Sequence, residues 1–145
     1  MENFTQAVQI RWSDIDANFH LRHSVYFDWA ATCRLDFLGQ HGLTTAMMQQ
    51  LHFGPILFRE EAVFRKEIRL GDPVTVNLEL LSSRKDYSRW TIQHMIMKNP
   101  ETLAAIITVD GAWIDTAIRK LAIPPEEVIH VFSKMPLSKE FKWTS

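Results

Sequence analysis

Arg11-Trp12-Ser13-Asp14-Ile15-Asp16-Ala17-Asn18-Phe19-His20-Leu21-Arg22-His23-Ser24-Val25-Tyr26 joins an alternating run to a run of helical period. Upstream, Val8, Ile10 and Trp12 alternate with Ala7, Gln9 and Arg11, so Phe4 to Trp12 reads as a strand with one buried face. Downstream, Tyr26, Trp29, Ala30, Cys33 and Phe37 recur at helical spacing, which predicts a helix over Val25 to Leu38 with Ser24 as its N-cap and Gly39 as its stop. Phe27, Ala31, Leu35 and Leu38 are apolar as well, so this helix should be buried almost all round. The strand-to-helix turn carries carboxylates, a carboxamide and two imidazoles close to the free N–H groups of a helix start, a place where a carbonyl can be polarised.

The rest of the chain changes period and supplies the scaffold. Leu43 to Leu51 predicts a second short helix, and Gly54-Pro55 punctuates the chain. Ile56 to Ile68 reads as extended, and Leu70-Gly71-Asp72-Pro73 as a turn. Val74, Val76, Leu78 and Leu80 form a clean half-buried strand, Arg84-Lys85-Asp86 a hairpin loop, and Trp90 to Met97 and Leu103 to Asp115 two further strands about Asn99-Pro100. The tail from Pro124 to Lys134 begins like a helix, with proline and acids in its first turn. One strand, one long apolar helix and a meander imply an α+β domain in which a bent antiparallel sheet of about five strands wraps one long central helix. Such a sheet leaves edges, and pairing them across a two-fold axis is an economical way to remove them.

Composition narrows the function. At 145 residues with 46% hydrophobic content the chain can bury one core, so residues 1–145 are read as a single domain. Sixteen Lys and Arg against seventeen Asp and Glu leave a charge of -1, without the basic excess of a nucleic-acid reader. No apolar run is long enough for a membrane span, and Met1-Glu2-Asn3-Phe4-Thr5 lacks the features of a signal peptide, so a cytoplasmic location is expected. Cys33 is the only cysteine; it reads as a small buried hydrophobe, and an internal disulfide and a thiolate zinc site are excluded. His41, His52, His94 and His130 show no metal-ligand spacing and read as incidental.

Arg11-Trp12-Ser13-Asp14-Ile15-Asp16 with Asn18, His20 and Tyr26, and Ile68-Arg69-Leu70-Gly71-Asp72-Pro73-Val74 beyond, resemble the hotdog-fold acyl-CoA thioesterases, nearest to the hydroxybenzoyl-CoA thioesterase branch. The resemblance spans nearly the whole chain and implies the hotdog fold. It implies hydrolysis of an acyl-CoA or acyl-carrier-protein thioester without a cofactor, coenzyme A being part of the substrate. It also implies a site at the interface of a homodimer or homotetramer. The second aspartate of the family's Asp-x-Asp pair falls on Asp16, the implied catalytic carboxylate, as base or as nucleophile. The family's Asp-x-Asn-x-His is matched by Asp16, Asn18 and His20, and other members carry a histidine where His23 stands. Phe19 replaces the glycine that usually precedes the histidine, and Arg22-His23 replace two asparagines.

A thioester carbonyl is electrophilic and its thiolate leaves readily, so a carboxylate and oxyanion donors suffice and no metal is needed. His20 and His23 can each orient the aspartate, polarise the carbonyl or protonate the leaving group; Asn18 can donate to the carbonyl or take a left-handed turn. Asp14 reads as a partner of Arg11 or a turn former, and Asp28 on the helix as the runner-up carboxylate. Trp12, Tyr26, Phe27 and Phe58 are candidates for an acyl pocket, beside the plainer reading of core aromatics. Arg84, Lys85 and Arg89 can meet phosphates or simply solvate a hairpin. Two rival readings stand: a hotdog hydratase acting on an unsaturated acyl thioester, and a non-catalytic acyl-ligand binding protein of the same fold.

Overall fold

The computed structural model describes residues 3–145; Met1 and Glu2, which open the N-terminal run read above for a leader, lie outside them. In chain order the elements are β1 (Thr5–Val8), a single 3-10 turn (Trp12–Asp14), α1 (His23–Gln40), α2 (Thr45–Leu51), β2 (Phe53–Phe64), β3 (Val74–Asn77), β4 (Glu79–Arg84), β5 (Arg89–Lys98), β6 (Thr102–Asp115), β7 (Lys120–Leu121), α3 (Glu126–Phe132) and β8 (Leu137–Thr144). The strands form one eight-stranded curled sheet. β6 lies between β2 and β5, and the far edge of β5 is shared by β3 and β4, one behind the other. β1 then flanks β3 and β8 flanks β4; among the described residues only the β4–β8 pair is parallel.

The expectation of about five strands around one long central helix is corrected on both counts. Among the described residues there are eight strands, and the helical residues are divided among α1, α2 and α3. The expected strand from Val74 to Leu80 is split, because Leu78 leaves the ladder and donates its N–H to the Phe4 carbonyl at 3.1 Å. The first strand stops at Val8, and Trp12 turns out to solvent with 74% exposure.

α1 begins two residues before Val25, with Arg22 at the N-cap and no side-chain cap, so Ser24 sits inside the first turn. Gly39 is likewise inside the helix, which ends at His41 ahead of Gly42 in the left-handed region. The helix buries one face only: Val25, Tyr26, Ala30, Cys33, Phe37 and Leu38 enter the core, while Leu35 remains 46% exposed.

The core is closed by aromatic packing at one end of the sheet. Trp113 stacks edge-on with Trp90 and Phe132 at 6.4 and 5.4 Å between ring centroids. Trp90 lies so close over its cross-strand neighbour that a Cβ on Gly111 would stand 2.3 Å from the indole and 2.6 Å from the Ile56 carbonyl oxygen. Only glycine fits there. Among the described residues no helix is long and apolar enough to cross a membrane.

Candidate active site

The loop between the 3-10 turn and α1 is clipped at its base by a buried acid. Asp14, 1% exposed, accepts from the Arg11 backbone N–H at 2.9 Å and from Arg11 Nη2 at 2.9 Å, with Arg22 Nη2 at 3.9 Å. Hydrogen bonds from the Arg11 side chain hold its carboxyl below the usual range against the opposing effect of burial. Asp14 is therefore Arg11's partner, and the loop's chemistry falls to its neighbours.

Ile15 and Leu21 form an isolated antiparallel bridge, and Asp16 folds the five residues between them into a tight turn. Asp16 Oδ1 accepts the backbone N–H groups of Asn18 at 2.9 Å and His20 at 3.2 Å, while its own N–H donates to the His20 carbonyl at 2.9 Å. Oδ2 has no hydrogen-bond partner among the described residues. Phe19, where the family usually has glycine, holds φ at +63° and is 73% exposed. The left-handed turn survives the substitution, at a cost of order 1–2 kcal/mol that the Asp16 hydrogen bonds offset. Asn18 contributes its backbone to this turn.

Leu21 donates to the Ile68 carbonyl at 2.7 Å, which lays the loop against the segment that follows β2. That contact brings in a residue absent from the expected site. Glu67 Oε2 lies 2.7 Å from His20 Nε2, and Glu67 Oε1 takes Arg69 Nε at 3.0 Å and Nη2 at 2.6 Å. The Arg69 hydrogen bonds hold the Glu67 carboxyl below its usual range, with His20 and Lys98 adding to the effect. Nothing local in Arg65-Lys66-Glu67 distinguishes this acid; only the return of the chain beside the loop makes it a partner of His20.

Asp16, His20, His23, Tyr26, Phe64 and Glu67 line one cavity of about 320 Å3, open at the surface. Tyr26 is 4% exposed and packs edge-on against Phe64 at 5.0 Å. Burial pushes its phenol up to about 12, and the negative charge of Asp16 acts in the same direction. The cavity thus unites a carboxylate with a free oxygen, an imidazole held by a second carboxylate, and a phenol that stays protonated at neutral pH. His23 opens α1, where first-turn N–H groups lack intrahelical acceptors.

The other candidates lie elsewhere. Trp12 faces solvent, and Phe27 packs against the core. Phe58 sits at the bulge of β2 under the Arg89 guanidinium, 4.6 Å from the ring, in a separate cavity with Arg84 and Asp110. Asp28 is exposed and does not line the Asp16 cavity. His94 is wholly buried, and burial beside Arg34 pushes it down to about 3. Cys33 is buried and its thiol pushed up to about 12.

The model of the thioesterase-like superfamily matches residues 10–132, from just after β1 through α3. The chain belongs to the thioesterase-like superfamily. As expected of a member of this superfamily, the fold is close to solved hotdog-like structures. A hypothetical protein of Staphylococcus aureus, solved in complex with CoA, superposes with a TM-score of 0.84 at 24% identity over 95% of this chain and 89% of that one. A 1,4-dihydroxy-2-naphthoyl-CoA thioesterase from Synechocystis gives 0.80 at 18% identity over 92% and 97%. A DHNA-CoA thioesterase from Staphylococcus aureus gives 0.81 at 18% identity over 92% and 91%. No curated protein sequence matches the chain.

Proposed function

We propose that this superfamily member hydrolyses an acyl-CoA, or acyl-carrier-protein, thioester in the cavity shared by Asp16, His20, His23, Tyr26 and Glu67. The observation that carries the reading is the state of Asp16: one carboxylate oxygen is anchored by two backbone N–H groups and the other is free to act. The CoA bound to one structural neighbour and the CoA thioesters named for two others support the substrate class.

In this reading Asp16 Oδ2 either removes a proton from water, whose hydroxide adds to the thioester carbonyl, or adds to that carbonyl itself and is later released by water. The oxyanion is held by first-turn N–H groups of α1, a contribution of about 3 to 4 kcal/mol per well-aimed donor. Collapse expels the thiolate, and His20, oriented by Glu67, supplies its proton. His23 lines the cavity and contacts the thioester side, while Asn18 supports Asp16 through its backbone N–H. Thioester hydrolysis asks for no metal, so dialysis against a strong chelator should leave turnover unchanged.

The deciding experiment is a thiol-release assay over short, long and aromatic acyl-CoAs, with Asp16→Asn beside the wild type. The variant should lose at least about 10²-fold in turnover with its fold intact, as for a lost base or nucleophile, while Asp28→Asn stays near wild type. Hydration of an enoyl-CoA without thiol release would favour the hydratase, and silence in both assays the non-catalytic binder.

A further inference from the structure

One group in the Asp16 cavity has no part in the reaction so far. Among the described residues that line it, Tyr26 alone carries a hydroxyl. Tyr26 lies in the first turn of α1, three residues after His23, so the two side chains share the helix face turned to the loop. Its ring is fixed from two sides, edge-on against Phe64 at 5.0 Å and tilted against Trp29 at 6.3 Å.

The phenol oxygen, by contrast, opens into the cavity. Tyr26 Oη has no hydrogen-bond partner among the described residues, yet it is not one of the buried polar atoms left without a partner; those are Ser88 Oγ and the indole nitrogens of Trp90 and Trp113. The 4% of Tyr26 that remains exposed therefore includes its hydroxyl. Asp16 faces the same space with Oδ1 occupied by two backbone N–H groups and Oδ2 free. The charge of Asp16 acts on the phenol and keeps it protonated, but the two groups form no direct hydrogen bond.

A water that adds to a carbonyl needs its hydrogens held elsewhere, so that a lone pair is left for the carbon. Asp16 Oδ2 takes one hydrogen, and a phenol oxygen is able to accept the other. The Glu67 oxygens are already committed, one to His20 and one to Arg69.

We propose that Tyr26 is a catalytic residue that holds the attacking water between its hydroxyl and Asp16 Oδ2, so that Asp16 works as a base and not as a nucleophile. This rests on the thioesterase reading and selects one of its two routes. A water O–H bond breaks, its proton passes to Asp16 Oδ2, and the remaining hydroxide forms the new C–O bond at the thioester carbon. The C–S bond then breaks with its electron pair on sulfur, and His20 protonates the thiolate. Transfer of the Asp16 proton to His20 restores both groups. Asp16 never bonds to the acyl carbon.

The test uses whichever of hexanoyl-, palmitoyl- and benzoyl-CoA the wild type hydrolyses fastest. Tyr26→Phe keeps the ring and its packing and removes the hydroxyl; kcat should fall at least about 10-fold with KM within about twofold. A single turnover in heavy-oxygen water, with enzyme in excess, should give a labelled acid and an unlabelled Asp16 peptide by mass spectrometry. This measurement needs no variant and decides alone if circular dichroism shows Tyr26→Phe unfolded. Unlabelled acid or a labelled Asp16 peptide means acyl transfer to Asp16 and overturns the assignment while the thioesterase reading stands. A folded Tyr26→Phe with wild-type kcat does the same. Failure of the wild type to release thiol from any of the three substrates overturns both.

Discussion

At the residue scale, the pairing of His20 with Glu67 separates positioning from reaction. Glu67→Gln keeps a hydrogen bond to His20 and removes the carboxylate that orients it. Turnover should fall by about 10-fold with KM little changed, and Glu67→Asp should recover most of it; an equal loss in both variants, or none, would leave Glu67 a structural residue. His94 makes a statement about pH. Its folded value is near 3 against 6.5 when free, so the unfolded chain takes up the proton first. The stabilisation is complete above pH 6.5 and is lost as pH falls from there towards 3. Urea unfolding should show stability declining between about pH 6 and 4.5 by up to ~1.4 kcal/mol per unit, and His94→Gln should flatten that slope. That Asp16, His20 and His23 would lie together was legible in the sequence, because eight consecutive residues cannot stray far from one another; that Asn18 would turn its side chain away from their cavity was not. Glu67 and the Arg34–His94 pair were not, since each depends on strands returning from distant parts of the chain.

At the element scale, β5 and β6 are locked by a missing side chain. Gly111→Ala places a Cβ against both the Trp90 indole and the Ile56 backbone, and the backbone atom cannot rotate away. A loss of about 3 kcal/mol in unfolding free energy is expected, at the upper end for overpacking, with a shift of the Trp90 and Trp113 fluorescence; a stability near wild type would mean that the sheet opens easily here. α1 and the strands of the meander were legible from their periods because one face of each is buried. β8 was not: Leu137–Thr144 lies at an edge with most residues exposed, and Ser138-Lys139-Glu140 shows no apolar alternation. The turn at Trp12 was hidden for the opposite reason, since a large aromatic in register with Val8 and Ile10 reads as one more buried position, whereas Asp14 and Arg11 curl the chain there and point the indole outward.

At the scale of the whole molecule, β2 pairs on one side only and shows Leu57, Phe58, Val63 and Phe64, each at least 39% exposed, along its length. A bare apolar edge of this kind invites a second copy. Light scattering at micromolar concentration should give at least twice the 16.9 kDa chain mass, and Val63→Lys should lower it; a monomeric wild type would remove the shared-site picture along with the dimer. The opposite edge carries another consequence. β8 runs parallel to β4 and pairs Thr144 with Arg84, some sixty residues earlier. On a ribosome adding ~5–20 residues per second, β4 waits roughly 3 to 12 s for that neighbour after it has itself been made. Through that interval the nascent sheet has an unfilled slot beside Leu80 and Ser82, which any extended peptide can occupy. Newly made chains should therefore bind holdase chaperones until translation passes Trp143, and stalling the ribosome just before Leu137 should lengthen that attachment.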